Sequence, residues 1–233
     1  GDIDGDGRAE LVITPDEGAG PRVSISSLLT SGLQLRANFL GIDDANFRGG
    51  ARPALGDIDG DGRFDLIVAA GFTGGPRVAI FDGNSLLSGD PTRLVPDFFV
   101  LEQSLRNGVF VASGDVNGDG FADLVVGGGP GGGPRVLILD GKSLFESGPA
   151  VALETPLANY FVDNSEASRG GIRMATKNLP GVSEASVVVG SGDGAPARVR
   201  IYPGSSIAPG PEPIGFQDLA PFEGVLTNGV FVG

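Results

Sequence analysis

The chain has 233 residues, with 29 acidic against 16 basic side chains, no His, Cys or Trp, 41 Gly and 17 Pro. Without His or Cys it has no Ser-His-Asp or Cys-His nucleophile and no zinc site of the usual kind. A formal charge of −13, with Lys142 and Lys177 as the only lysines, speaks against nucleic acid or a bare anionic membrane as partner.

No run of about 18 apolar residues occurs, so direct membrane insertion is not expected. A hydrophobic content of 40% is enough for a core, and the length suits one large domain or two small ones. Gly and Pro together make up 58 residues, roughly a quarter, which in aperiodic sequence would suggest disorder. Here the glycines are periodic.

In chain order, "GDIDGDGRAELVIT" begins at Gly1, "GDIDGDGRFDLIVAA" at Gly56 and "GDVNGDGFADLVVGG" at Gly114. The segment from Ala175 to Gly190 aligns without a gap on Ala112 to Gly127, as an eroded fourth copy. With Asp2, Asp57, Asp115 and Asn178 as equivalents, the steps are 55, 58 and 63 residues, and the step back around the chain ends is 57. Four units therefore fill residues 1–233 as one domain.

Each unit reads as four short strands separated by turns. In the third they are Gly108 to Ser113, Asp123 to Gly127, Arg135 to Asp140, and a weaker strand around Ala158 to Val162. The apolar runs are too short for helices, and only Gly141 to Gly148 could hold a helical turn. This predicts an all-β fold, a β-propeller of four four-stranded antiparallel blades. The C-terminal "TNGVFVG" matches the strand that precedes an acidic loop, and the N-terminus begins at such a loop. Closure by pairing Gly229 to Gly233 with Leu11 to Thr14 is therefore expected.

The acidic loop has the form D-x-[DN]-G-D-G-x-x-[DE]. In a tight turn permitted by glycine, side chains at positions 1, 3 and 5 converge, position 7 offers its main-chain carbonyl, and position 9 closes the shell. Carboxylates so close repel one another, and Ca²⁺, with six to eight oxygen ligands, suits the irregular shell better than Mg²⁺. Three Ca²⁺ sites are expected: Asp2, Asp4, Asp6, the Arg8 carbonyl and Glu10; Asp57, Asp59, Asp61, the Arg63 carbonyl and Asp65; and Asp115, Asn117, Asp119, the Phe121 carbonyl and Asp123. An EF-hand would need a Glu at position 12 and flanking helices, whereas here a strand follows position 9. The fourth unit offers Asn178, Pro180, Val182, Glu184 and Ser186, and is expected to be metal-free.

With these loops and the glycine-proline turns "GAGPRV", "TGGPRV", "GGGPRV" and "DGAPARV", at Gly18, Thr73, Gly131 and Asp193, the chain resembles the FG-GAP repeats of integrin α-subunit propellers and their bacterial relatives. The resemblance implies calcium in hairpin loops at one face, a secreted or cell-surface location, and adhesion or scaffolding. Integrin propellers have seven blades, so none of their ligand-binding surface is carried over.

Three further patterns recur. Arg22, Arg77, Arg135 and Arg198 stand before the third strands, as structural hydrogen-bonding or ion-pairing groups or as contacts for an anionic partner. Arg48, Arg106 and Arg169, with Thr227 in the fourth place, form a ring of solvated loop residues or a contact patch. In the inner strands Arg52 and Arg173 alternate with Phe110 and Phe231, which predicts Arg-Phe stacking in the channel, a central ligand site being the alternative.

The function expected is a non-catalytic calcium-binding module for adhesion or surface assembly, with a protein partner or further copies of itself. A calcium-dependent lectin is the second reading, and it is weakened by the lack of Trp and by only two tyrosines, Tyr160 and Tyr202. The acids Asp43, Asp44, Asp163 and Glu166 occupy equivalent loops and are read as solvated rather than as a glycosidase pair.

Overall fold

The structure is a computed structural model that describes residues 1–222 and 226–233. It is all-β, with four antiparallel sheets that follow one another along the chain. The first holds β1 (Glu10–Ile13), β2 (Arg22–Leu29) and β3 (Gly32–Leu40). The second runs β4 (Ala51–Gly56), β5 (Asp65–Ala70), β6 (Arg77–Phe81) and β7 (Arg93–Phe99). The third runs β8 (Val109–Gly114), β9 (Asp123–Gly128), β10 (Arg135–Leu139) and β11 (Ala158–Phe161). The fourth runs β12 (Ile172–Lys177), β13 (Ser186–Ser191), β14 (Val199–Tyr202) and β15 (Gln217–Leu219). Every strand pairs with its chain neighbour, and β8 lies between β4 and β12, so the innermost strands gather at one axis as in a propeller.

Alternation along the second strands builds the core. Ile67 and Ala69 of β5 pack towards the third sheet, while Leu66 and Val68 pack towards the first. In β9, Leu124 and Val126 face the second sheet and Val125 the fourth. A strand covered on both faces reads as a continuous apolar run, and side chains of successive residues fill opposite interfaces. Three apolar clusters result, one for each of the three interfaces between consecutive sheets.

Glycine-proline turns clasp neighbouring units. The amides of Gly18, Thr73, Gly131 and Gly194 donate to the carbonyls of Arg48, Arg106, Arg169 and Thr227 at 2.7 to 2.8 Å. Each acceptor lies just ahead of an inner-strand segment. The third-strand arginines bond within their own sheets, Arg22 to Asn38, Arg77 to Asp97, Arg135 to Asn159 and Arg198 to Asp218, and Arg135 also pairs with Glu102 ahead of the third sheet at 2.9 Å. Arg48 and Arg106 donate to carbonyls of their own turns.

Two features differ from the sequence reading. A second short helix, α2 (Pro149–Glu154), follows α1 (Gly141–Glu146); Pro at its start and the helix formers Ala, Leu and Glu account for it, and Ala152 anchors it in the core. The first sheet has three strands, and the expected pairing of Gly229 to Gly233 with Leu11 to Thr14 is absent among the described residues. Leu11 and Ile13 are 46% and 44% exposed, whereas their counterparts Leu66 and Val68 are fully buried.

The C-terminal segment instead makes the junction used by the other inner strands with the preceding sheet. Val230 N–H donates to Ser191 O at 2.9 Å, as Ala51 N–H does to Pro15 O. The sequence at this edge departs from the other units at Asp16. In the complete sheets its equivalents are Gly71, Gly129 and Gly192, where a Cβ would overlap the carbonyl oxygens of Gly49, Asn107 and Gly170 at the start of the inner strand. By register the counterpart of those carbonyls is that of Asn228, and Asp16 carries a Cβ where the complete sheets have glycine.

Candidate metal centre

The acidic loops join the first strand of a unit to the second, and glycines at positive φ set their curvature: Gly5 and Gly7, Gly60 and Gly62, Gly118 and Gly120. The position-1 carboxylate organises each turn. Asp2 accepts from the amides of Gly5 and Gly7 at 2.8 and 2.9 Å, and Asp115 accepts from Gly118, Asp119 and Gly120. Asp57 accepts from Gly62 at 2.9 Å through Oδ2, while its Oδ1 is buried without a hydrogen-bond partner among the described residues.

Positions 1, 3 and 5 converge as the spacing predicts. Carboxylate oxygens of Asp2, Asp4 and Asp6 lie within 4.8 Å of one another, and so do those of Asp57, Asp59 and Asp61. In the third loop Asn117 takes position 3, with its Oδ1 accepting from Asp119 N–H at 3.0 Å. Arg36 meets Asp4 at 3.1 Å, a partly exposed pair on the flank of the first loop.

Position 9 lies deeper than positions 1, 3 and 5 and stands outside those three-carboxylate clusters. Glu10 accepts from Ile3 N–H at 2.8 Å and from Ser27 Oγ at 3.2 Å. Asp65 accepts from Ile58 and Gly83 N–H at 2.9 and 2.8 Å, and Asp123 from Val116 and Gly141 N–H at 2.8 and 3.0 Å. Each therefore ties its loop to the second strand, and Asp65 and Asp123 tie it also to the turn after the third. Burial pushes the carboxyls of Asp65 and Asp123 up to about 7 against the opposing pull of these amides. Asp59 is also raised, first by burial and then by Asp61, Asp57 and Asp82.

The sequence reading passed over Asp82 and Asp140. Asp82 caps the short turn Gly83–Ser85 and Asp140 caps α1, accepting from Asn84 and Ser143 N–H. The free Oδ2 of Asp140 accepts from Asn117 Nδ2 at 3.2 Å, which places a fourth acid beside the third loop. The repeated Asp-Gly directly after the third strand was the available signal. Arg8, Arg63 and Phe121 occupy position 7, their amides donating to the position-5 carboxylates of Asp6, Asp61 and Asp119. In the fourth loop Leu179 and Val182 are exposed, and Ser183 Oγ donates to Glu184 at 2.9 Å.

The donor set fits a hard divalent cation. It is all oxygen, crowded with like charge, and in the second loop includes a buried oxygen lacking a partner. Asp2, Asp4 and Asp6, and Asp57, Asp59 and Asp61, would hold such an ion; it would neutralise the mutual repulsion of the carboxylates and brace the turn.

Among solved structures, the rhamnogalacturonan lyase YesW is similar to the chain at 12% identity and a TM-score of 0.44, over 90% of this chain and 44% of that one. The exotype rhamnogalacturonan lyase YesX gives 13% and 0.43, over 86% and 41%. The chain thus spans less than half the length of either lyase. No curated protein matches it. The model of the FG-GAP-like repeat matches residues 2–68 and again residues 57–126, together more than half of the chain. With its acidic loops in register between first and second strands, the chain belongs to the FG-GAP-like repeat family.

Proposed function

We propose that the chain is a non-catalytic, calcium-binding module that works in adhesion or surface assembly outside the cell, with a protein or another copy of itself as partner. The observation that carries this reading is the convergence of three carboxylates in each of two loops, with the buried, unpartnered Oδ1 of Asp57 in the second. Loops of this kind in extracellular modules bind at about 10⁻⁴ to 10⁻³ M, and so fill where calcium is plentiful. Calcium titration of chelator-treated protein by calorimetry should give three sites, and Asp57→Asn should lose one of them. A flat titration would sink the proposal, and so would native protein found only in cytosolic fractions.

A lectin is the second reading, favoured by a groove of about 540 Å³ lined by the third sheet and by the segments that precede and follow it. Its floor is glycine, from Gly128 to Gly133, and its walls offer Phe161, Asn159, Glu166 and Arg169. Sugar sites combine an apolar face with a few convergent polar groups. Calcium-dependent signals on a glycan array would favour this reading over assembly.

A further inference from the structure

At the axis Arg52 and Arg173 line one cavity of about 190 Å³, together with Thr14, Asp16, Phe110 and Phe231. The stacking expected from the inner strands is present. The Arg52 guanidinium lies 3.9 Å from the Phe110 ring centre, and that of Arg173 lies 4.7 Å from Phe231 and 5.4 Å from Phe110. The two rings meet edge to face at 6.4 Å. A cation–π contact gives a guanidinium electrostatic support but no lone-pair acceptor for its N–H groups.

Those groups are poorly served. Each guanidinium has five donors. Arg52 donates through Nη1 to Val109 O at 3.1 Å. Arg173 donates through Nη2 to Asp193 at 3.2 Å and through Nη1 to Ser191 O at 3.4 Å, near the limit of a hydrogen bond. Arg173 is 5% exposed, and its Nε–H is buried with no partner among the described residues. A buried donor left unmade costs about 1–3 kcal/mol, more when charged.

The charges are also unbalanced at depth. Burial holds the Arg52 guanidinium below its ordinary value; Asp16 opposes that, and the neighbouring charge of Arg173 adds to it. Asp16, Glu17 and Asp193 are exposed, so water screens the three carboxylates that act on the pair.

We propose that this axial cavity binds a small tetrahedral oxyanion of the sulfate or phosphate type, held between the N–H edges of Arg52 and Arg173. Guanidinium takes two oxygens of such an ion at once, and a tetrahedral ion offers a separate pair of oxygens to each of two arginines, which a carboxylate cannot. A volume of about 190 Å³ leaves room for an inorganic oxyanion. The site is independent of the acidic loops.

The test is equilibrium dialysis of the calcium-loaded chain against radiolabelled sulfate at fixed ionic strength in sodium chloride, since phosphate would precipitate the calcium. One sulfate per chain is expected, with at least tenfold weaker binding in Arg52→Gln. Arg173→Gln should behave alike if it folds; Arg52, which is less buried, decides the matter if it does not. Sulfate binding repeated in EDTA, at a temperature where the chain stays folded, should be unchanged, so failure of the calcium reading stays distinguishable. Absence of saturable binding, or binding indifferent to Arg52→Gln, overturns the proposal.

Discussion

Asp65 shows how one carboxylate couples loop, strand and solvent conditions. It is 1% exposed, accepts from two backbone amides, and in the ion-free chain titrates near 7 rather than at the ordinary 3.8. A carboxyl raised in the folded state holds its proton better there than in the unfolded chain. Its contribution to stability is therefore full below about pH 4 and is lost as pH climbs to about 7. In EDTA the melting temperature should fall as pH rises from about 4 to about 7, and Asp65→Asn should flatten part of that slope while costing about 1–3 kcal/mol for an amide left without its acceptor. Parallel slopes in the two proteins would refute this account of Asp65. The position was legible as an acid nine residues into a repeated loop. Its inward direction was not, because Gly83 approaches it only after the third strand has folded back. The same limit hid the polar cluster of the fourth unit, where Arg200 meets Glu212 at 2.6 Å and Tyr202 donates to the same oxygen at 2.5 Å, residues without an equivalent in the other units.

At the scale of elements, strands of the second and third units were legible because apolar runs alternate with turn residues that punctuate them at constant phase. What the repeat concealed was the meaning of a departure from it. Gly71, Gly129 and Gly192 mark places where the inner strand passes directly over the end of the second strand, and Asp16 marks the sheet where none does. Alanine at Gly129 should destabilise the chain by about 1–3 kcal/mol, the range of overpacked sites, since the obstacle is backbone and cannot rotate away. Asp16→Ala keeps its Cβ and should cost only the partly screened attraction to Arg52, less than about 1 kcal/mol. Chemical denaturation of the pair checks the contrast, and equal costs would contradict it.

For the whole molecule, the three apolar interfaces between consecutive sheets carry the fold, and the C-terminal segment docks on the fourth sheet through Ser191 and Arg173. Removing Thr227 to Gly233 should therefore leave one cooperative transition, lowered by about 2–4 °C for each kcal/mol of lost contact. Loss of cooperativity would mean that the segment closes the ring after all. Charge acts at the same scale. Three bound Ca²⁺ would take the formal charge from −13 to −7 and relieve the repulsion concentrated in three loops. The most direct measurement is scanning calorimetry in millimolar calcium and in EDTA. The account predicts a markedly higher transition with calcium, by mass action on ions that bind only the folded loops; superimposable scans would contradict it.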